Sequence, residues 1–161
     1  MTRTNSMLCR WLGLALTACL AGCGGAPPPP PPTVVEITFV AAPDANPDAA
    51  GRPAPVAVRY SQLNATGAFD AADYFQLHDK EAAVLGPSLL ERQDVALLPG
   101  ASQKVAFEAK PGATALGVIV SYRDIDQAQW RADTPIPPNQ KTRLKVQIDK
   151  LKVSIVPDTS K

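Results

Sequence analysis

Two sets of residues in this chain have side chains suited to chemistry or recognition. The first is Cys23, whose thiol could be modified covalently and which directly follows Leu20-Ala21-Gly22. The second set lies in residues 41–55, a stretch rich in proline, aspartate and small residues: Asp44, Asn46, Asp48 and Arg52. Carboxylate, amide and guanidinium groups on a long loop are suited to recognition by hydrogen bonds and charge.

The segment before Cys23 has the three parts of a signal peptide. Arg3 and Arg10 supply positive charge, residues 11–20 are mostly apolar, and Ala21 and Gly22 are small. A run of about ten apolar residues is too short to cross a hydrocarbon core of about 30 Å as a helix. We therefore expect residues 1–22 to be a cleaved signal peptide rather than a permanent membrane span.

The sequence Leu20-Ala21-Gly22-Cys23 resembles the lipobox of bacterial lipoproteins. That resemblance implies that diacylglycerol is attached to Cys23, that cleavage falls before the cysteine and that the new amine is acylated. Three acyl chains, at about 0.8 kcal/mol per buried CH₂, form a much stronger anchor than one chain. Gly24 stands where an aspartate would favour retention in the inner membrane. The resemblance therefore implies an outer-membrane anchor with the domain facing the periplasm.

Catalytic residues are not grouped in any pattern that we can associate with a reaction. His78 is the one histidine in the chain, and neither Ser61 nor Ser121 lies in a nucleophile-elbow motif. Asp124 and Asp126 could bind a cation from a loop, although a solvated acidic turn is the favoured interpretation. We therefore expect a protein that is not an enzyme and that binds no metal.

The cysteine content and the net charge further restrict the range of possible functions. Cys9 and Cys19 leave with the signal peptide and Cys23 carries the lipid, so the mature domain has no disulfide and its covalent lipid is the only cofactor expected. The signal peptide contains two of the 16 basic residues and none of the 15 acidic ones, which leaves a mature charge of −1. This charge argues against binding to nucleic acid or to an anionic membrane surface.

A run of six prolines, Pro27 to Pro32, follows the predicted lipid site. Such a run adopts the polyproline II conformation at about 3.1 Å per residue, so it forms a stiff spacer of roughly 19 Å. A ligand for a proline-recognising domain is the alternative. The predicted organisation is residues 1–22 as signal peptide, 23–33 as acylated cysteine and linker, 34–156 as one domain and 157–161 as a tail.

Apolar and polar residues alternate with period two through most of the domain, which predicts β-strands. The alternation places strands near residues 33–40, 55–63, 105–107 and 144–148, and again at 151–155 with the opposite phase. Residues 115–122 are apolar on both faces and predict a central buried strand. The phase change at Asp149-Lys150 predicts a turn between two strands, or a bulge within one.

Residues 68–90 interrupt this pattern, because their apolar residues have closer to helical spacing. Turn signals elsewhere recur every 8–12 residues, as in sandwiches. The predicted fold class is therefore all-β: a two-sheet β-sandwich with one or two short inserted helices around residues 68–90.

The aromatic residues bear on a second candidate function. Trp130 is interpreted as a core residue that covers one end of the sandwich, and Tyr122 and Phe75 are also predicted to be core. An exposed Trp130 could instead anchor a partner or stack on a sugar. The alternative function is thus a stand-alone periplasmic lipoprotein that binds a glycan or another ligand.

The order of several segments resembles the TssJ family, also called VasD or SciN, the outer-membrane lipoproteins of type VI secretion systems. No single segment is specific, but the ordered set is, and the long proline linker is the departure from it. The segments are Asn46-Pro47-Asp48, residues 51–56, 58–63, 72–77, 97–100 and 116–124, and Trp130-Arg131.

The resemblance implies a transthyretin-like sandwich with a structural role. A protein of this family would anchor the type VI secretion membrane complex by binding the periplasmic C-terminal domain of the inner-membrane protein TssM. The family's loop between the first two strands is implicated in that contact. The resemblance therefore assigns partner binding to four residues of the 41–55 loop, with a merely solvated loop as the alternative: Asp44, Asn46, Asp48 and Arg52.

Overall fold

The computed structural model describes residues 28–159, so the predicted signal peptide and Cys23 lie outside the described residues. Eight strands and two helices follow one another along the chain, with a 3₁₀ turn after the second helix: β1 Val34–Ala41, β2 Val56–Leu63, α1 Gly67–Ala71, α2 Tyr74–Leu85, the turn Gly86–Ser88, β3 Leu89–Leu97, β4 Ser102–Glu108, β5 Ala115–Ser121, β6 Arg131–Pro135, β7 Lys141–Ile148 and β8 Val153–Pro157. Within residues 28–159, no helix is long and apolar enough to cross a membrane.

The strands form two four-stranded sheets, in the orders β4-β1-β7-β8 and β3-β2-β5-β6. Neighbouring strands are antiparallel, except that β1 and β7 run parallel. The sheets pack face to face, which confirms the predicted all-β, two-sheet sandwich with inserted helices. The phase change at residues 149–150 corresponds to the turn that separates β7 from β8.

The main core lies between the two sheets, and the alternation of each strand decides which side chains enter it. In β1 the odd-numbered residues are buried and the even-numbered residues face outward. Strand β5 is buried on both faces, as predicted, because α1 and α2 cover the outer face of its sheet. A second, smaller core forms there from Leu63, Phe69, Ala72, Leu77, Leu85, Ala115 and Ile119.

A buried carboxylate fastens α2 to the sheet below it. Asp73 caps the helix by accepting a hydrogen bond of 2.8 Å from the Gln76 backbone N–H. About two turns further on, Glu81 is buried and accepts a hydrogen bond of 2.5 Å from the Ser61 hydroxyl. The guanidinium groups of Arg59 and Arg92 each approach its second oxygen to 3.6 Å. The helical insertion is therefore held to β2 and β3 by charge as well as by apolar packing.

Three features differ from the expectations. Strands β3 and β6 were not predicted, because β3 carries a charged run and β6 is a short segment whose position depends on pairing with β5. Phe75 was predicted to be core, and this is wrong: its side chain is 62% exposed on the first turn of α2. Tyr122, in contrast, is buried as expected.

Candidate functional site

Four connections lie together at one end of the sandwich, which we call the loop end: residues 42–55, 98–101, 122–130 and 149–152. The linker enters β1 at Val34, and β1 delivers the chain to the loop end at Ala41. Eight residues of strand span about 26 Å. The loop end is therefore separated from the predicted linker by the length of the sandwich.

Asn46 is the internal support of the loop between β1 and β2. Asn46 is only 2% exposed, and both the nitrogen and the oxygen of its side-chain amide form hydrogen bonds. The Nδ2 group donates to the Pro55 carbonyl at 2.7 Å, and Oδ1 accepts from the Arg123 backbone N–H at 2.8 Å. The backbone N–H of Asn46 donates to the Lys150 carbonyl at 3.1 Å. One residue thus ties three connections of the loop end together.

Asn46 also adopts a left-handed backbone conformation, with φ of 52°. Asparagine tolerates this region better than other side chains, because its short amide can hydrogen-bond locally. The residue type therefore suits both the backbone and the side-chain role at this position.

Asp48 and Arg52 form a closed turn on the surface of the same loop. The Asp48 carboxylate accepts hydrogen bonds from the backbone N–H groups of Ala50 at 2.9 Å and Arg52 at 3.0 Å, and Gly51 supplies the positive φ of 76°. The Arg52 guanidinium closes the turn with two contacts of 2.8 Å to the other carboxylate oxygen. These hydrogen bonds from Arg52 hold the pKa of Asp48 below its usual value. The turn presents an arginine side chain that is 80% exposed.

Leu98 belongs to the loop end as well, although it was not among the predicted binding residues. It lies in the turn between β3 and β4 and is 64% exposed, an unusual position for a leucine in a turn. Two backbone hydrogen bonds join this turn to the first residue of the 42–55 loop and to the end of β1: Gly100 N–H to Ala42 O at 3.2 Å and Ala41 N–H to Ala101 O at 2.9 Å. The signal in the sequence was a large apolar residue directly before Pro99-Gly100, outside the strand alternation.

A shallow groove of about 680 Å³ runs between the 42–55 loop and the two neighbouring connections. Both cationic and anionic side chains line it. Its lining comprises Pro47, Asp48, Ala49, Gly51, Arg123, Asp124, Lys150 and Leu151. A groove of this kind is suited to a polar chain segment of a partner rather than to a buried small molecule.

The four residues that the sequence singled out therefore lie in one loop but have different environments. Asp44 and Arg52 are exposed, and Asp48 is half-buried in its turn with Arg52. Asn46 is buried, so the structure assigns it the positioning of the loop rather than a place on its surface. The surface offered at the loop end includes Asp44, the Asp48–Arg52 turn and Leu98, beside the groove.

Trp130 lies half-buried between the two cores, and its ring is engaged on more than one side. The Tyr74 ring lies nearly perpendicular to the indole with the ring centroids 5.3 Å apart, and the Arg131 guanidinium carbon lies 5.1 Å from the indole centroid. A sugar would need a free ring face, so this tryptophan is not an open platform. Among residues 28–159, no three His, Asp or Glu side chains come together as metal ligands would.

Comparison with known proteins gives consistent results. The family model T6SS-SciN, described as type VI secretion lipoprotein, VasD, EvfM, TssJ, matches residues 33–151. The T6SS lipoprotein TssJ1 from Pseudomonas aeruginosa is 34% identical with a TM-score of 0.78, over 81% of this chain and 100% of that chain. Serratia marcescens Lip, a membrane-bound component of the type VI secretion system, is 26% identical with a TM-score of 0.73, over 80% of this chain and 99% of that one.

A third similar chain comes from a structure described as the T6SS protein TssM C-terminal domain from EAEC. It is 25% identical with a TM-score of 0.65, over 78% of this chain and 98% of that chain. No curated protein matches the sequence.

Proposed function

The chain belongs to the type VI secretion lipoprotein family of VasD, EvfM and TssJ, and from that premise we propose that it anchors a secretion membrane complex by binding the periplasmic C-terminal domain of TssM. The family is one of secretion lipoproteins rather than of enzymes. We propose accordingly that the protein has no catalytic activity and no cofactor beyond its covalent lipid.

The observation that carries the proposal is the family match over residues 33–151, joined to the likeness to a chain in a structure of the TssM C-terminal domain. The match to a membrane-bound component of the secretion system supports attachment to a membrane. We propose that this attachment is a lipid on Cys23, that the membrane is the outer one and that the domain faces the periplasm.

The loop end is the surface we assign to TssM. Arginine is among the residues enriched at interface hot spots, and a mostly exposed apolar side chain supplies area whose burial favours association. Arg52 and Leu98 supply these two features from two connections that are hydrogen-bonded to each other through Ala42. Because Asn46 fixes the loop in the free protein, little conformational entropy is lost on binding. The distance from the linker directs this surface away from the anchored membrane.

The test is calorimetric titration of the soluble domain, residues 28–161, with the periplasmic domain of the TssM encoded beside it. The described residues contain both hydrophobic cores, and a solved relative spans the same part of the chain alone, so this part folds without the N-terminal segment. We expect one-to-one binding with a Kd in the micromolar range or tighter. A folded domain that does not bind TssM would refute the proposal.

Matched variants test the assigned surface. Arg52→Glu and Leu98→Asp should each weaken binding at least tenfold, which is about 1.4 kcal/mol. Lys145→Glu makes the same charge change on the outer face of β7, and Phe75→Asp replaces a similarly exposed apolar residue on α2. Both controls should bind like the wild type. Equal losses in the controls and the loop-end variants would place the TssM contact elsewhere.

A further inference from the structure

Strand β4 is an edge strand whose outer backbone groups have no strand partner among residues 28–159. The other edges are less suited to pairing: β6 ends at Pro135, β8 ends at Pro157, and the pairing of β3 with β2 is irregular. Strand β4 contains no proline and keeps a continuous register with β1 over seven residues. Regular, unprotected edges of this kind are templates for a further strand.

The hydrogen bonds between β1 and β4 show which backbone groups of β4 face outward. At the two ends of this pair, Ala109 N–H donates to Thr33 O and Ala41 N–H donates to Ala101 O. Residues of β4 with odd numbers therefore direct their N–H and C=O groups toward β1. Those with even numbers direct them away from the sheet, since these groups alternate in an antiparallel pair.

The side chains alternate in the same way. Lys104, Ala106 and Glu108 project from the outer face of the sheet, whereas Val105 and Phe107 pack half-buried against the core. Phe107 also stacks on Tyr60 with the ring centroids 5.9 Å apart. Neither Lys104 nor Glu108 forms an ion pair within the described part of the chain.

We propose that β4 pairs antiparallel with β4 of a second copy of this chain, about a two-fold axis at Ala106. Only registers that oppose even-numbered residues satisfy the outward backbone groups, and these registers differ in which charges meet. With Ala106 opposite itself, Lys104 of each copy faces Glu108 of the other, giving two ion pairs of opposite charge. The register shifted by four residues along the partner places Lys104 opposite Lys104 and is repulsive.

The same register completes the inner face. Val105 of each copy lies opposite Phe107 of the other, so the half-buried apolar rows of the two cores become continuous. Three opposed pairs of even-numbered residues provide about six backbone hydrogen bonds. The β4-β1-β7-β8 sheets of the two copies join into one sheet across the axis. The pairing is isologous, as expected for a closed dimer.

The interface is small, so we expect weak association that is strengthened where lipid anchors concentrate the protein. Sedimentation velocity of the soluble domain at rising concentration should show a reversible monomer–dimer equilibrium. Lys104→Glu and Glu108→Lys each bring like charges together and should raise the dimer Kd at least tenfold. The double variant exchanges both charges and should restore the wild-type Kd. Lys145→Glu is the matched control and should dimerise normally.

The register has its own test. Residues 28–161 contain no cysteine, and a Cα separation of about 5.5 Å at the axis suits a disulfide. Ala106→Cys should therefore form a disulfide-linked dimer under mild oxidation, whereas Lys145→Cys should not. A domain that stays monomeric up to millimolar concentration would overturn the proposal. So would single charge variants that dimerise like the wild type, or a double variant that does not recover.

Discussion

Replacing Asn46 tests how the loop end is held together. Asn46→Ala removes the acceptor of the Arg123 N–H and the donor to the Pro55 carbonyl. Both groups are partly buried, so each lost bond should cost about 1 kcal/mol, the lower part of the range for unsatisfied groups. An alanine at φ of 52° adds about 1 kcal/mol of backbone strain. We expect a total loss of about 3 kcal/mol in the free energy of unfolding.

Asn46→Gly separates the two contributions. It loses the same hydrogen bonds but accepts the left-handed backbone, so it should be less destabilising than Asn46→Ala by about 1 kcal/mol. Urea unfolding of residues 28–161 measures both values, with Trp130 as the single tryptophan reporter. For a domain of this size, 3 kcal/mol corresponds to a fall in Tm of about 12 °C.

Binding provides the second readout. Because Asn46 is buried, both variants should weaken TssM binding while remaining folded, although no contact with the partner is removed. Asn46→Gly should retain more of that affinity than Asn46→Ala, because glycine adopts the left-handed backbone conformation without strain. Unfolding free energies within 0.5 kcal/mol of the wild type, measured for both variants, would refute this account of the loop.

Three further outcomes follow from the packing and charges. Gly117→Ala should destabilise the domain by about 2 kcal/mol, measured by urea unfolding, because its Cβ would lie 2.8 Å from the Phe69 ring; an unchanged midpoint would mean that α1 shifts freely. Glu81→Ala should cost about 3 kcal/mol and Glu81→Gln less, since the amide retains an acceptor for the serine hydroxyl beneath it; equal losses would contradict a role for that hydrogen bond. Burial raises the pKa of Tyr60 and of Tyr122 above the ordinary value of 10.0, so the free energy of unfolding should be unaffected below pH 10 and fall as the pH rises beyond it. Alkaline unfolding and tyrosinate absorbance measure this, and full tyrosinate absorbance in the folded state near pH 10 would contradict it.

The central strands could be predicted because burial on one face produces an alternation of apolar and polar residues, and burial on both faces produces an apolar run. Strand β1 shows strict alternation, and β5 shows an apolar run that only a sheet covered on both sides produces. Strands β3 and β6 lie at edges, where one side of the strand faces water and polar residues are tolerated. Their position is decided by pairing with β2 and β5, which local sequence does not encode.

The sequence predicts a partner-binding role for the 41–55 loop, but it does not separate the structural roles of the residues within it. Asp44, Asn46 and Arg52 are all polar residues in a region without periodicity, and nothing in that pattern separates a buried amide from an exposed guanidinium. The difference depends on Arg123 and Lys150, which approach from other connections of the loop end. Phe75 was misassigned for the same reason, since its burial depends on how α2 rotates on the sheet.

The two proposed surfaces together restrict how a dimer could be oriented at the membrane. Antiparallel pairing through β4 inverts one copy relative to the other, so the two loop ends of a dimer point in opposite directions. In the proposed register, however, the two Val34 residues are offset by about four residues, roughly 13 Å along the sheet. The predicted linker, with a reach of roughly 19 Å, covers that offset only when the strands lie along the membrane, because an upright dimer would require one linker to run back past a sandwich of about 26 Å. Neither loop end then faces directly away from the membrane, so we expect engagement of both copies with TssM to require that the β4 pair separates.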